Sequence, residues 1–176
     1  MQSKNNLELK YMCEDFSKIR TILKSIGAQK EIVKKQKDYF FNLPAIVEKK
    51  SGRLKLRLEN ESQILVFYTR PDFSEKSKTV AEVSLYEVKD KDFLPFLIMS
   101  HGIKGVVEKK REVWRLDNTV FHLDTVKGVG SIFEVELQKH GKITNKDINL
   151  FSEFKSLLMP HLGKIVKGSN IDLVLK

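Results

Sequence analysis

At 176 residues, with 41% hydrophobic and 31% charged positions, the chain falls in the ordinary globular range and is most simply one domain spanning residues 1–176. A chain of that size buries roughly two thirds of its unfolded surface, and the single cysteine, Cys13, excludes an intramolecular disulfide or a thiolate-rich metal site. The balance of 32 Lys+Arg against 23 Asp+Glu, a formal +9, points to an anionic partner: nucleic acid, an acidic membrane surface or a phosphate-rich small molecule.

The longest apolar runs, such as residues 93–99, are far too short to span a bilayer. Met1 to Asn6 leads straight into a strand with no signal-peptide core, so a cytoplasmic protein is expected.

The first strand is expected at about residues 6–13, with Leu7, Leu9, Tyr11 and Cys13 on its apolar side, which makes Cys13 a buried, inert thiol. Asp15 then caps a helix in which Phe16, Ile19, Ile22, Leu23 and Ile26 recur at helical spacing, and Gly27 stops it. A basic connection leads to a second strand at 38–42, ending before Pro44. After a lysine-rich loop come a strand at 52–59, a turn through Asn60 to Ser62, and a strand at 64–70 stopped by Pro71. The turn residues make this pair an antiparallel hairpin.

A further strand covers 79–86, and a second helix opens at Asp90 or Asp92, carries Phe93, Phe96, Leu97 and Met99, and closes at Gly102. Strands at 106–114, 119–126 and 131–138 follow, separated by a short turn at Asp117 and Asn118 and by the Gly128 to Gly130 turn. A third amphipathic helix at 146–159 buries Ile148, Phe151, Phe154, Leu157 and Leu158, and residues 171–175 add a short extended tail. Eight strands, three helices and short connections describe an α+β fold: an eight-stranded antiparallel β-barrel, a tunnel, with the helices packed outside.

The stretch from Gly52 to Leu58 alternates strictly, so Arg53, Lys55 and Arg57 share one face and Leu54, Leu56 and Leu58 the other. Other strands carry acids at the same two-residue spacing: Glu8 beside Lys10, His122 with Asp124, and Glu134 with Glu136. A closed sheet can gather those faces into one polar interior. That interior would set Lys10, Arg53, Lys55, Arg57, Arg70, Lys109 and Arg111 against Glu8, Asp124, Glu134 and Glu136. So many buried charges require a wet or occupied bore. Guanidinium and ammonium groups hold phosphate oxygens, and carboxylates without thiolates favour Mg²⁺ or Mn²⁺, so a polyphosphate with bound metal satisfies both signs.

In four places, the chain resembles the CYTH-domain proteins, the triphosphate tunnel family that includes class IV adenylate cyclases and thiamine triphosphatases. These are Leu7 to Lys10, Gly52 to Arg57, Val107 to Arg111, and His122 to Gly130 followed by Glu134 and Glu136. The tail from Ser169 to Leu173 is similar to the short closing motif of the cyclase branch.

The resemblance implies an eight-stranded tunnel that binds a small-molecule triphosphate (ATP, thiamine triphosphate or tripolyphosphate) with Mg²⁺ or Mn²⁺. It maps metal binding onto Glu8, Asp124, Glu134 and Glu136, and triphosphate binding onto Lys10, Arg53, Lys55, Arg57, Arg70, Lys109 and Arg111. Glu8, Lys10 and Asp124 become the catalytic candidates, with Glu8 a proton acceptor or metal ligand. The family signature Glu-x-Glu-x-Lys reads Asn6 to Lys10 here, so Asn6 brings an oxygen but no charge to the metal set.

Two chemistries fit one cavity: cyclisation of ATP to cyclic AMP and pyrophosphate, the preferred expectation, or hydrolysis of a triphosphate. The non-enzymatic alternative is a basic module for nucleic acid or polyphosphate; the clustered acids argue against nucleic acid, whose backbone they would repel. His122 is expected as a hydrogen-bonded spectator, His101, His140 and His161 as solvated, and Lys110 as surface. Trp114, Tyr68 and the phenylalanines are expected in the core, with Tyr39 or Tyr68 the candidate for stacking on a base.

Overall fold

In the computed structural model, residues 2–69 and 80–175 are described, with side chains from 7 to 69 and from 83 to 175. The chain opens with strand β1 (Gln2–Met12) and helix α1 (Phe16–Ser25). Asp15 is the helix cap: its carboxylate accepts from the Ser17 amide at 2.7 Å, satisfying a donor the first turn leaves open. Strand β2 (Gln29–Phe41), the short helix α2 (Ala45–Glu48), and strands β3 (Gly52–Glu59), β4 (Ser62–Thr69) and β5 (Val80–Val88) follow. Helix α3 (Phe93–His101) leads into the long strands β6 (Ile103–Leu116), β7 (Thr119–Val126) and β8 (Gly130–Lys139). The chain ends with α4 (Asn145–Leu158), a 3₁₀ turn (Met159–His161) and α5 (Asn170–Val174).

The strands close into a barrel in the order β1-β5-β4-β3-β2-β6-β7-β8, every pair antiparallel. Because β1 pairs with both β5 and β8, closure leaves no described strand with an open edge. Alternation then divides each strand between an outer, helix-covered face and the bore.

On the outside, Leu7, Phe121, Phe133 and Leu137 pack with Ile19 and Leu23 of α1 and with Phe151, Phe154 and Leu158 of α4. Phe121 meets Phe154 edge to face, the centroids 5.3 Å apart. A second outer cluster sets Phe41, Leu56 and Val88 against Leu97 of α3. The third apolar cluster lies inside: Phe40, Val107, Val126 and Ile132, at the same end of β2, β6, β7 and β8, surround Ile171 of α5. Helix α5 therefore covers one end of the barrel. Gly105 makes this close approach possible, since a Cβ there would lie 2.6 Å from the Ile171 Cδ1 atom.

The α+β barrel expected from the sequence is present with all eight strands. Three differences are instructive. Residues 29–37, expected as a basic connection, belong to β2, whose long pairing with β6 holds a lysine-rich stretch extended. The tail expected to be extended is helical, because Ser169 and Asp172 form a reciprocal capping box and Ile171 is buried. In α3, Leu97 is buried but Phe96 and Met99 face solvent. Among the described residues, no helix is long and apolar enough to cross a membrane.

Ile171 is fully buried as the plug of the covered end, so the truncation Ile171→Ala should lower unfolding free energy by about 2–5 kcal/mol in denaturant titration. Faster amide hydrogen exchange in α5 should accompany it.

Candidate functional site

The barrel encloses a cavity of about 400 Å³. Its lining includes Glu8 and Lys10 from β1, Asp38 from β2, Lys55 and Arg57 from β3, Lys109 and Arg111 from β6, and Glu134 and Glu136 from β8. Alternation places them there: each lies on the inward face of a strand whose other face carries core leucines, valines or aromatics.

Two buried aspartates organise the cations. Asp124, on β7, has no solvent exposure; Lys109 Nζ donates to its Oδ2 at 2.8 Å, and the Arg111 guanidinium grips both oxygens at 2.6 Å. Arg111 also donates to Glu134 at 2.9 Å. Across the bore's lining, Asp38 receives Lys55 at 2.7 Å and a two-point grip from Arg57 at 2.7 and 2.9 Å. Each of the two aspartates is thus matched by an ammonium and a bidentate guanidinium, the geometry that offsets desolvation best.

The remaining acids line β1 and β8. Glu8 and Glu136 face each other in register, as do Lys10 and Glu134. Lys10 lies 2.8 Å from Glu8 and 3.5 Å from Glu134, while His122 Nε2 lies 3.2 Å from Glu136. At the end away from α5, Lys34 and Gln36 bond Glu59 at 2.5 Å, and Arg115 pairs with Glu31 at 2.5 Å.

Electrostatics follow from this crowding. Burial pushes the Asp124 and Asp38 carboxyls up, but the adjoining Arg111 with Lys109, and Arg57 with Lys55, outweigh it and hold both well below the usual range. Glu134 is likewise held down, by Lys10 and Arg111 against burial. The lysines move the other way. Burial, reinforced by the neighbouring Arg57 charge, lowers Lys55 to about 7; burial and Arg111 lower Lys109 to about 8. Burial and the Arg111 charge also lower His122, which is therefore a neutral imidazole at pH 7.

Of the residues singled out in the sequence, Glu8, Lys10, Lys55, Arg57, Lys109, Arg111, Glu134 and Glu136 all line the cavity. Asp124 is adjacent but sealed behind Lys109 and Arg111. Arg53 sits at the α5 end, its guanidinium 3.4 Å from Asp172. Arg70 lies outside the described residues, as does the Asn6 side chain. His122 is buried and hydrogen-bonded, Lys110 is exposed, and Tyr68 lines the cavity. Cys13 is buried, its thiol pushed up by burial. Asp38 was missed: taking 29–37 as a connection hid the alternation Lys34, Gln36, Asp38, Phe40 that turns it inwards.

The CYTH domain model matches residues 4–167, nearly the whole chain. The chain belongs to the CYTH domain family. A Methanocaldococcus jannaschii protein named as a candidate adenylate cyclase is 26% identical over 169 residues, covering 94% of this chain and 90% of its own length. The PH1819 protein of Pyrococcus horikoshii has the same fold, with a TM-score of 0.77 at 23% identity over 97% of this CYTH chain and 98% of its own. A Hippeastrum adenylyl cyclase candidate described with a dominant triphosphatase activity aligns at a TM-score of 0.61 and 16% identity, over 90% of this chain and 87% of its own.

Two outcomes follow from the charge geometry of this CYTH bore. Asp38→Asn leaves Lys55 and Arg57 buried without their shared counter-ion and should cost about 3–5 kcal/mol in equilibrium unfolding. A polyanion bound beside Lys55 favours its charged form and raises its pKa from about 7. Tripolyphosphate binding at pH 8 should therefore be accompanied by proton uptake, read from calorimetry in buffers of different ionisation enthalpy. Its affinity should fall as pH rises from 7 to 9, and Lys55→Gln should reduce the uptake.

Proposed function

We propose that the protein binds a metal–triphosphate complex in the bore and processes it, with cyclisation of ATP to cyclic AMP and pyrophosphate as the preferred reaction. The observation that carries this reading is the convergence of Lys10, Lys55, Arg57, Lys109 and Arg111 on one cavity that also holds Glu8, Glu134 and Glu136. A binder of nucleic-acid backbone needs its cations on an open surface; these five are enclosed.

The carboxylates fit a hard divalent cation in kind: they are oxygen donors on adjacent strands, with no thiolate among the cavity-lining residues. Among the described residues no three acids or histidines converge as a finished metal cage. Lys10, Arg111 and His122 occupy the carboxylates instead. Mg²⁺ or Mn²⁺ suits such a place, because it is commonly held by one or two carboxylates together with substrate phosphates. Glu8, Glu134 and Glu136 would hold it, and Asp124, engaged by Lys109 and Arg111, would act by positioning those cations. Bound there, the metal supplies Lewis-acid polarisation of phosphoryl oxygens.

The protein's own part is binding and charge neutralisation. In the cyclase reading the 3′-oxygen attacks the α-phosphorus, the bond to the bridging oxygen breaks, and Lys55, Arg57, Lys109 and Arg111 take up the charge growing on pyrophosphate. Glu8, within reach of Lys10, is the proposed acceptor of the hydroxyl proton. The second reading, attack of water on the terminal phosphorus, is favoured by the triphosphatase activity described for the Hippeastrum relative. The same cations serve that reaction, since the leaving group is again a phosphate chain.

Incubating the protein with Mg²⁺ or Mn²⁺ and ATP, thiamine triphosphate or tripolyphosphate separates the readings. Cyclic AMP and pyrophosphate are expected from ATP; release of orthophosphate as the main product would move the assignment to the hydrolase. Glu134→Gln and Glu136→Gln should each lower turnover by about a hundredfold or more while leaving nucleic-acid affinity no weaker.

A further inference from the structure

Towards the end covered by α5, the lining of the bore changes character. The inward residues there include Val66 and Tyr68 of β4 and Val83 of β5, none of them charged, and Ser169 and Asn170 enter from the start of α5. Lys55, whose ammonium lies 6.0 Å from the Tyr68 ring centre, marks the border with the charged stretch. The Tyr68 hydroxyl and Ser169 Oγ are 2.9 Å apart, and Ile171 is fully buried, so the backbone that carries Asn170 is fixed from both sides.

Asn170 is only 8% exposed, lines the cavity, and has an amide oxygen with no hydrogen-bond partner among the described residues. A buried amide left in that state is unfavourable unless a ligand completes it. A carboxamide offers an acceptor and a donor side by side, which matches the amino group and ring nitrogen on an adenine edge. The apolar wall of Val66 and Val83 and the Tyr68 ring offer surfaces for the faces of a planar ring. Bare tripolyphosphate has only acceptors and no face to pack, so it uses none of these features.

We propose that this end of the bore seats the base of a nucleoside triphosphate, with Asn170 reading the base edge. The phosphate chain then runs towards the open end past Lys55, Arg57, Lys109 and Arg111. The inference rests on the triphosphate function proposed above and adds the position of the base and the residue that selects it.

Isothermal titration calorimetry of the full chain, with Ca²⁺ replacing Mg²⁺ to slow turnover, tests it with ATP, purine riboside triphosphate and inorganic tripolyphosphate as probes. ATP is expected to bind about tenfold or more tightly than tripolyphosphate, and purine riboside triphosphate, which lacks the exocyclic amine, about tenfold more weakly than ATP. Asn170→Leu, close in volume, should weaken ATP about tenfold and leave tripolyphosphate within about twofold, which also reports that the variant is folded. Equal affinity for ATP and purine riboside triphosphate, or a loss in Asn170→Leu that is the same for ATP and tripolyphosphate, overturns the base seat while the triphosphate function stands. Failure of the wild-type protein to bind any of the three probes overturns both.

Discussion

The structure depends on how a closed sheet can keep five carboxylates (Glu8, Asp38, Asp124, Glu134, Glu136) and five cations (Lys10, Lys55, Arg57, Lys109, Arg111) inside itself. Each ion taken out of water costs several kcal/mol, repaid only where geometry is good and hydrogen bonds are complete. Asp38 and Asp124 meet that condition, each answering one lysine and one arginine. They lie on different strands, so the cations are fixed in two groups around the cavity. The groups hold a set spacing before any ligand arrives, and pre-organisation of this kind is what charge stabilisation in a reaction requires.

The two lysines are nonetheless held in an unfavourable place for an ammonium. Lys55 falls to about 7 and Lys109 to about 8 even with an aspartate in contact, because burial and an adjacent guanidinium outweigh it. A polyanion beside them would offset both the burial and the guanidinium repulsion, which connects the fold's alternation to the chemistry through electrostatics.

Much of this was legible in the sequence. The period of two in residues 52–58 and at the acid pairs on β1, β7 and β8 fixes which residues share a face, and closure turns those faces to the bore. What escaped did so for identifiable reasons. In residues 29–37, lysines on the outward face of β2 mask the inward alternation, and the strand is held extended by β6, a partner roughly seventy-five residues away that local propensity does not register. The register shift between Lys30 and Ile32 further blurs its period. The tail at 171–175 reads as a short apolar strand, yet its conformation is decided by the Ser169 to Asp172 box and by the space Gly105 leaves for Ile171. Arg53 shows the limit of face arguments: it shares its face with Lys55 and Arg57, but its height along the barrel brings it to Asp172 at the covered end.

The carboxylates bear on how metal and phosphate would depend on each other. Glu8 and Glu134 share Lys10, Glu134 also holds Arg111, and Glu136 faces His122. A divalent cation arriving alone would have to compete with the charges of Lys10 and Arg111, and with the His122 contact, for those oxygens. Arriving with a polyphosphate, it would find Lys10 offered phosphate oxygens in place of Glu8 and Glu134, which would leave those carboxylates freer for the metal. The two ligands would then favour each other by a coupling free energy that acts equally in both directions.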